Sequence, residues 1–266
     1  MKRAGLICMI VGFTFVFAFN TLAGPVIDRI VKKGELVVGI SGNQPPLNAT
    51  SKEGEIIGLE ADLAKIFADA MGVKLKFEVM PFKELLPSLK DGKVDMVLSG
   101  MTITPERNLQ AAFVGPYFIS GKSIITTKEK AQSIESAADI NNSYTTLTAL
   151  EGSTSQNFVK NIIPQAKLLT TKNYDAALEL LLQGKADAMV ADFPFCILSS
   201  FRYQDKNLVA VDKPFTYEPV GVALPPNDPL LVNVVENTLL TIEGSGALLL
   251  LTENWFKDPA WLQKLP

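Results

Sequence analysis

Histidine is absent from all 266 residues, and cysteine occurs only twice. Without an imidazole, Ser-His-Asp catalysis, Cys-His pairs and His-ligated metals are excluded together. Cys8 lies inside an apolar N-terminal stretch, so only Cys196 remains beyond it and no disulfide framework can form. An excess of positive charge is also missing. The chain has 25 Lys and Arg against 28 Asp and Glu, a formal net charge of −3, which argues against nucleic acid as a partner. What is present is apolar residues, 47% of the chain, ample for one large domain or two of ordinary size.

Residues 1–23 have the layout of a secretory signal. Lys2 and Arg3 are followed by the apolar run 4–19 and by Thr21-Leu22-Ala23, which predicts cleavage after Ala23 and a periplasmic protein. The run is shorter than the roughly 20 residues a bilayer span prefers. Cys8, preceded by Ile7, is too early for a lipid-anchored start. Cleavage leaves 23 basic and 28 acidic residues, a formal charge of −5.

The chain is organised around KVDMVLSGMTITPER, residues 93–107. Val94, Met96, Val97 and Leu98 form a short apolar run typical of a buried strand, and Gly100 ends it. Thr104-Pro105 is a helix entry, because the hydroxyl caps free amides and proline needs no donor at the first position. Arg107 then falls in the first turn, where the helix dipole disfavours a cation. An anionic ligand would resolve the conflict, with Thr102, Thr104, exposed amides and a guanidinium converging on a carboxylate or phosphate. Pairing of Arg107 with a structural acid is the alternative.

The pattern recurs about ninety residues on. LKDGKVDMVLSG (89–100) aligns with LLQGKADAMVAD (181–192), matching Gly92 to Gly184, Lys93 to Lys185 and Asp95 to Asp187. Each copy follows a helix-like segment, 82–89 and 174–182. Two such units predict two similar α/β lobes, and ligands in such sheets bind beyond the carboxyl ends of the strands. Gly100 and Asp192 stand at those ends. Arg107 from one lobe and Asp192 from the other would hold a zwitterion between them, although Asp192 could equally cap the helix that follows.

The remaining pattern gives helices at 25–33, near 59–71, 134–140, 156–162, 229–243 and 246–256. Strands are expected at 35–40, 73–79, 94–99, 112–118, 123–127, 144–150, 167–171, 186–191 and 208–211. Residues 41–48 read as a loop, and 51–57 as a hairpin. The stretch 151–155 (EGSTS) is a second strand-loop-helix entry able to offer amides to an anion, or an ordinary cap by Ser153 or Ser155. The lobes are predicted as 25–120 with 217–266, and 123–214, joined by hinges at 120–122 and 214–220.

These features resemble the periplasmic amino-acid-binding proteins of bacterial ABC importers, the family 3 solute-binding proteins with the type II fold. The likeness runs through GELVVGI, GLEADLAKIFADAMG, DGKVDMVLSGMTITPERNLQAAFVGPYF, EGSTSQNF, GKADAMVAD and ENWF, and is most specific from SGMTITPER to GPYF. It implies a two-lobed α/β fold, each lobe a mixed sheet flanked by helices, with the ligand between. By resemblance, Arg107 clamps the ligand α-carboxylate. The Gly100 carbonyl meets the ammonium, and Thr102 gives an amide and hydroxyl to the carboxylate. Ser153 and Thr154 give amides from the other lobe, and Asp192 holds the α-ammonium. A membrane ABC permease is the implied partner, the protein being a monomer with no cofactor, no metal and no catalytic residues.

Some positions depart from the family. Aromatics often found at Gln44 and Leu59 are missing, as is an acid common at Ser41. By strand-end logic the side-chain pocket is lined by residues 41–44, Leu59, Leu150 and Ala191, none of them charged, so the expected ligand is a neutral amino acid of small to medium size. Phe82, Tyr117 or Phe118 could supply an aromatic wall. The fold also resembles secreted cyclohexadienyl dehydratases, where Glu151 or Glu218 would be the general acid, and ligand-sensing domains, which would need a fused output domain. An intact Asp192 favours amino-acid binding.

Overall fold

The structure is a computed structural model describing residues 24–134 and 136–266; the expected signal, 1–23, lies outside the described residues. Two five-stranded mixed sheets carry the fold. In the first the order is Lys74–Val79, Glu35–Ile40, Met96–Val97, Glu218–Leu224, Ala112–Ser120. In the second it is Lys167–Thr171, Thr146–Leu150, Ala188–Asp192, Lys122–Thr127, Leu208–Ala210. Each opens with three parallel strands and continues with one antiparallel to both of its neighbours. The lobes are therefore built alike.

The chain leaves the first sheet at Ser120 and enters the second at Lys122. It returns between Ala210 and Glu218, and Glu218 pairs with Ser120, so the two crossings run side by side. Lys122 N donates to Thr216 Oγ1 at 2.9 Å and Phe215 N to Lys122 O at 2.7 Å. Gly121 must lack a side chain, because a Cβ there would collide with the Thr216 carbonyl and the Pro214 ring.

Local chemistry explains most element ends. Asp228 caps two helices at once: Oδ1 accepts from Leu231 N (2.8 Å), Oδ2 from Val26 N (2.6 Å) and Ile27 N (2.8 Å), fixing Pro25–Lys33 against Pro229–Gly244. Segment 82–90 is a 3-10 turn followed by the helix Leu85–Lys90, and Pro87 is tolerated because it sits in the first turn, where its missing donor has no helical acceptor.

The structure corrects the pattern in three places. Among the described residues, 134–140 forms bends and turns, not the expected helix. The helix falls earlier, at Lys128–Ala131 capped by Thr127, because the Ser136 amide and hydroxyl bond Asp139 Oδ2 and the Tyr144 and Thr145 amides bond Asn142 Oδ1, which favours turns over helix. Residues 41–48 are not irregular throughout: Asn43–Gln44, Asn48–Thr50 and Ile56–Ile57 make a small antiparallel sheet. The central strand is only Met96–Val97, although its flanking apolar residues Val94 and Leu98 are fully buried. In Ala247–Phe256, Ala247, Leu248 and Leu251 pack on the core whereas Leu249 and Leu250 are exposed. No single described helix is long and apolar enough to cross a membrane.

One apolar cluster fills the first lobe and another the second. A third runs through both, with Phe82, Val97 and Met101 on one side and Leu150, Tyr174 and Phe195 on the other. That shared cluster holds the two strand ends face to face.

Candidate functional site

Thr104 caps the single turn Pro105–Asn108, its hydroxyl accepting from Arg107 N at 3.3 Å. A helix of one turn carries little dipole, so the field opposing Arg107 is weaker than its position in the sequence suggests. The side chain folds back into the cleft. Nη1 donates to Thr102 O (2.8 Å), Nη2 to Gly152 O of the other lobe (3.2 Å), and Cζ lies 5.5 Å from the Phe82 ring centroid. Arg107 is 9% exposed, and no carboxylate forms an ion pair with it among the described residues. Burial pushes its pKa down, opposed by the more distant charges of Glu218 and Asp192.

Asp192 ends the strand Ala188–Asp192 in the second lobe. It stands at the N-cap of Phe193–Arg202 but makes no side-chain capping bond, so its carboxylate serves something else. Lys122 Nζ lies 2.5 Å from Oδ1, while Gln44 Nε2 (2.6 Å, from the first lobe) and Tyr174 OH (2.7 Å) donate to Oδ2. Burial, and then the neighbouring Asp192, push the Tyr174 hydroxyl well above its usual pKa, keeping it a donor.

Gln44 lies over Gly100, whose φ is 59° and where a Cβ would collide with the Gln44 amide. Gln44 Oε1 is buried without a hydrogen-bond partner. The Gly100 amide donates to Glu60 Oε1 at 2.6 Å, Tyr117 OH donates to the same oxygen, and Asn48 Nδ2 donates to Oε2 at 2.6 Å. Burial raises the Glu60 pKa despite those three donors. Ser41 belongs to the same loop network: its amide donates to Ser99 Oγ (3.0 Å) and its hydroxyl to Asn48 Oδ1 (3.2 Å).

Across the cleft, Thr102 Oγ1 and Thr154 Oγ1 are 3.4 Å apart, and Lys83 Nζ pairs with Glu151 Oε2 at 2.9 Å. Ser153 acts as the N-cap of Thr154–Ile162, its hydroxyl accepting from Gln156 N (3.1 Å) and donating to Leu150 O (2.7 Å). Its amide also donates to Leu150 O, at 3.3 Å. Leu59 packs in the first-lobe core with Leu47 and Leu63. Of the three aromatics considered, Phe82 reaches Arg107, Tyr117 bonds Glu60, and Phe118 packs on Phe256 at 4.6 Å.

Lys122, Tyr174 and Glu60 are members of this cluster that the pattern did not single out. Lys122 carries a signal in hindsight of its register: it faces Asp192 directly in the antiparallel pair, and a charged residue opening an otherwise uncharged buried strand needs a partner.

Residues 36–258 match the family model of bacterial extracellular solute-binding proteins, family 3. The chain belongs to that family. Among curated relatives, it is 32% identical to the ABC transporter glutamine-binding protein GlnH of Bacillus subtilis over 211 residues, 78% of this chain and 76% of that protein. It is 27% identical to the cyclohexadienyl dehydratase of Pseudomonas aeruginosa over 231 residues, 87% of this chain and 86% of that one. A solved structure of a binding component of an ABC transporter from Wolinella succinogenes, complexed with lysine, superimposes with a TM-score of 0.83 at 36% identity, covering 87% of this chain and 100% of the other. The two-lobed α/β fold and the family resembled by the motifs are those of these relatives, which are for the most part amino-acid-binding proteins of ABC importers.

Proposed function

We propose that this protein captures a free, neutral amino acid outside the cytoplasm and presents it to a membrane ABC permease. The observation that carries the reading is Arg107: a guanidinium buried between the lobes, resting on two carbonyls and an aromatic ring, with no carboxylate of the described protein paired to it. A buried cation without an anion is costly, and a ligand carboxylate offsets that cost. In this reading Thr102 and the helix entry at Ser153 and Thr154 complete the carboxylate site. Asp192 and the Gly100 carbonyl take the α-ammonium, with Gln44 giving way at Asp192 and offering its unpartnered Oε1. Ser41 and Gln44 are assigned to the side-chain end; Leu59, expected there from the sequence, is instead fully buried in the first-lobe core, where an apolar residue opening its helix packs against Leu47 and Leu63.

Hinge bending at 120–122 and 214–220 would open the cleft, and a ligand bridging Arg107 and Asp192 would favour the closed arrangement. Residues 1–23 are assigned as a cleaved signal, the mature protein being a periplasmic monomer.

The neutral class rests on the lining, since relatives named for glutamine and complexed with lysine span both charge classes. Ser41, Gln44, Leu150 and Ala191 offer no charge to pair with a charged side chain. A dehydratase needs a free acid in the cleft. Glu151 is paired with Lys83, and Glu218 lies beside Lys122, which favours binding over catalysis. Thermal-shift screening of residues 24–266 against the common amino acids tests the reading, with a neutral one expected to give the largest shift. A dominant response to Arg, Lys, Glu or Asp would overturn the class, and turnover of prephenate or arogenate would overturn the non-enzymatic reading.

A further inference from the structure

The clamp just described uses one cation and one anion, yet the cleft contains a second buried cation that it does not require. Lys122 opens the strand Lys122–Thr127 directly after the first crossing and is 2% exposed. Its Nζ is 2.5 Å from Asp192 Oδ1 and 3.6 Å from Glu218 Oε2. Glu218, itself buried, opens the return strand opposite Ser120. It accepts a bond from Thr216 on Oε1, but Oε2 has no hydrogen-bond partner. One ammonium therefore serves two buried carboxylates.

Formal charges in this sealed region can be counted. Asp192 and Glu218 against Lys122 leave one unmatched negative charge on the second-lobe side. Arg107, with no paired acid, is one unmatched positive charge across from it. Glu60 stands apart from the count, because its carboxyl is already met by three donors of its own lobe, Asn48, Gly100 and Tyr117, and forms no ion pair with Lys122 or Arg107. The remainder is one charge of each sign, which is the charge of a single zwitterion. Inside a protein charges interact far more strongly than in water, and an unmatched one is expensive, so this remainder selects the ligand's charge state as well as its shape.

We propose that Lys122 is a positioning residue that sets the charge class of the ligand: by neutralising one of two buried acids it leaves the cleft able to accept one ammonium group and makes it reject a second, as in lysine or arginine. The inference rests on the amino-acid-binding reading and names its determinant. Lys122 acts through Asp192 and Glu218 and need not touch the ligand. Replacing it with an apolar residue leaves two unmatched acids, and the site should then favour a dication over a zwitterion's single ammonium.

The test is calorimetric titration of the wild type, Lys122→Met, Lys122→Arg and the double variant Lys122→Met/Glu218→Gln with glutamine, lysine and arginine. The wild type is expected to prefer glutamine. Lys122→Met should move the ratio of lysine to glutamine affinity toward lysine by about tenfold or more, while Lys122→Arg keeps the wild-type order. The double variant removes one charge of each sign, leaves no unmatched acid pair to unfold the protein, and should return to the wild-type order. An unchanged ratio in Lys122→Met, or a double variant that prefers lysine, overturns the proposal. Should Lys122→Met fail to fold, Glu218→Gln decides it: Lys122 is then matched by Asp192 alone, so glutamine affinity should fall by about tenfold or more, and an unchanged affinity overturns the proposal. A wild type that prefers lysine or arginine with Lys122 in place overturns it as well, without touching the amino-acid reading. If the wild type answers to no amino acid, the amino-acid reading itself falls, and this inference with it.

Discussion

Asp95 and Asp187 occupy the same point in the two lobes. Asp95 Oδ2 accepts the Val37 amide at 2.8 Å and its Oδ1 pairs with Arg29; Asp187 Oδ2 accepts the Thr146 amide at 2.6 Å and its Oδ1 pairs with Lys130. In each lobe the acid enters the central strand and stitches it to the neighbouring first strand. The Gly-Lys-x-Asp repeat thus marks sheet construction, and the copies differ at their far ends, Gly100 in one and Asp192 in the other.

Asp95→Ala should therefore cost stability and spare the ligand. The acid is buried, and its removal strands the Val37 amide, a loss of about 1.5–3 kcal/mol. Urea denaturation should show the drop while ligand affinity stays within about twofold of the wild type. A large affinity loss at unchanged stability would contradict the assignment.

How far the chain explains itself follows from these residues. The two-lobed α/β fold and the strand that ends at Asp192 were legible because short apolar runs and Gly turns are local signals. The segment 134–140 was not, since its apolar spacing suits a helix while its Ser, Asp and Asn side chains bond the backbone in turns. Lys122, Tyr174 and Glu60 were missed for a different reason: each gains its role from partners 70, 18 and 57 positions away, respectively Asp192, Asp192 and Tyr117, and no local pattern encodes those meetings.

Arg107→Ala should abolish tight binding. A ligand carboxylate left without its partner in the cleft loses about 3–5 kcal/mol, or roughly two to four powers of ten in affinity. Thermal stability without added ligand should change far less, since the lost bonds are two contacts to carbonyls and a ring. A variant that binds normally by calorimetry would return Arg107 to a structural role.

Asp192→Asn keeps the shape of the side chain but removes the charge that faces Lys122 and that the proposal sets against the ligand ammonium. Losing a charged hydrogen bond of about 1.5–3 kcal/mol weakens amino-acid binding by roughly one to two powers of ten. Analogues without the α-ammonium should be spared. Equal losses for both ligand types would mean that Asp192 serves the lobe and not the ligand.

Glu60 gives the stability a pH dependence of defined sign. Burial raises its pKa in the folded protein, so the folded state holds that proton more tightly than the unfolded chain does. Its contribution is greatest below the unfolded value of about 4.3 and declines as pH rises toward the folded pKa. The stability of the wild type relative to Glu60→Gln should fall from pH 4 upward and then level off. A difference that is flat with pH, or that grows, would contradict a raised Glu60.

The most direct test of the account is a calorimetric comparison of three ligands on residues 24–266: the neutral amino acid that gives the largest thermal shift, the same molecule without its α-carboxylate, and the same molecule without its α-ammonium. Arg107 and Asp192, held on opposite sides of the cleft, predict that each truncation weakens binding by about two powers of ten or more. Either truncated analogue binding as tightly as the parent would contradict it.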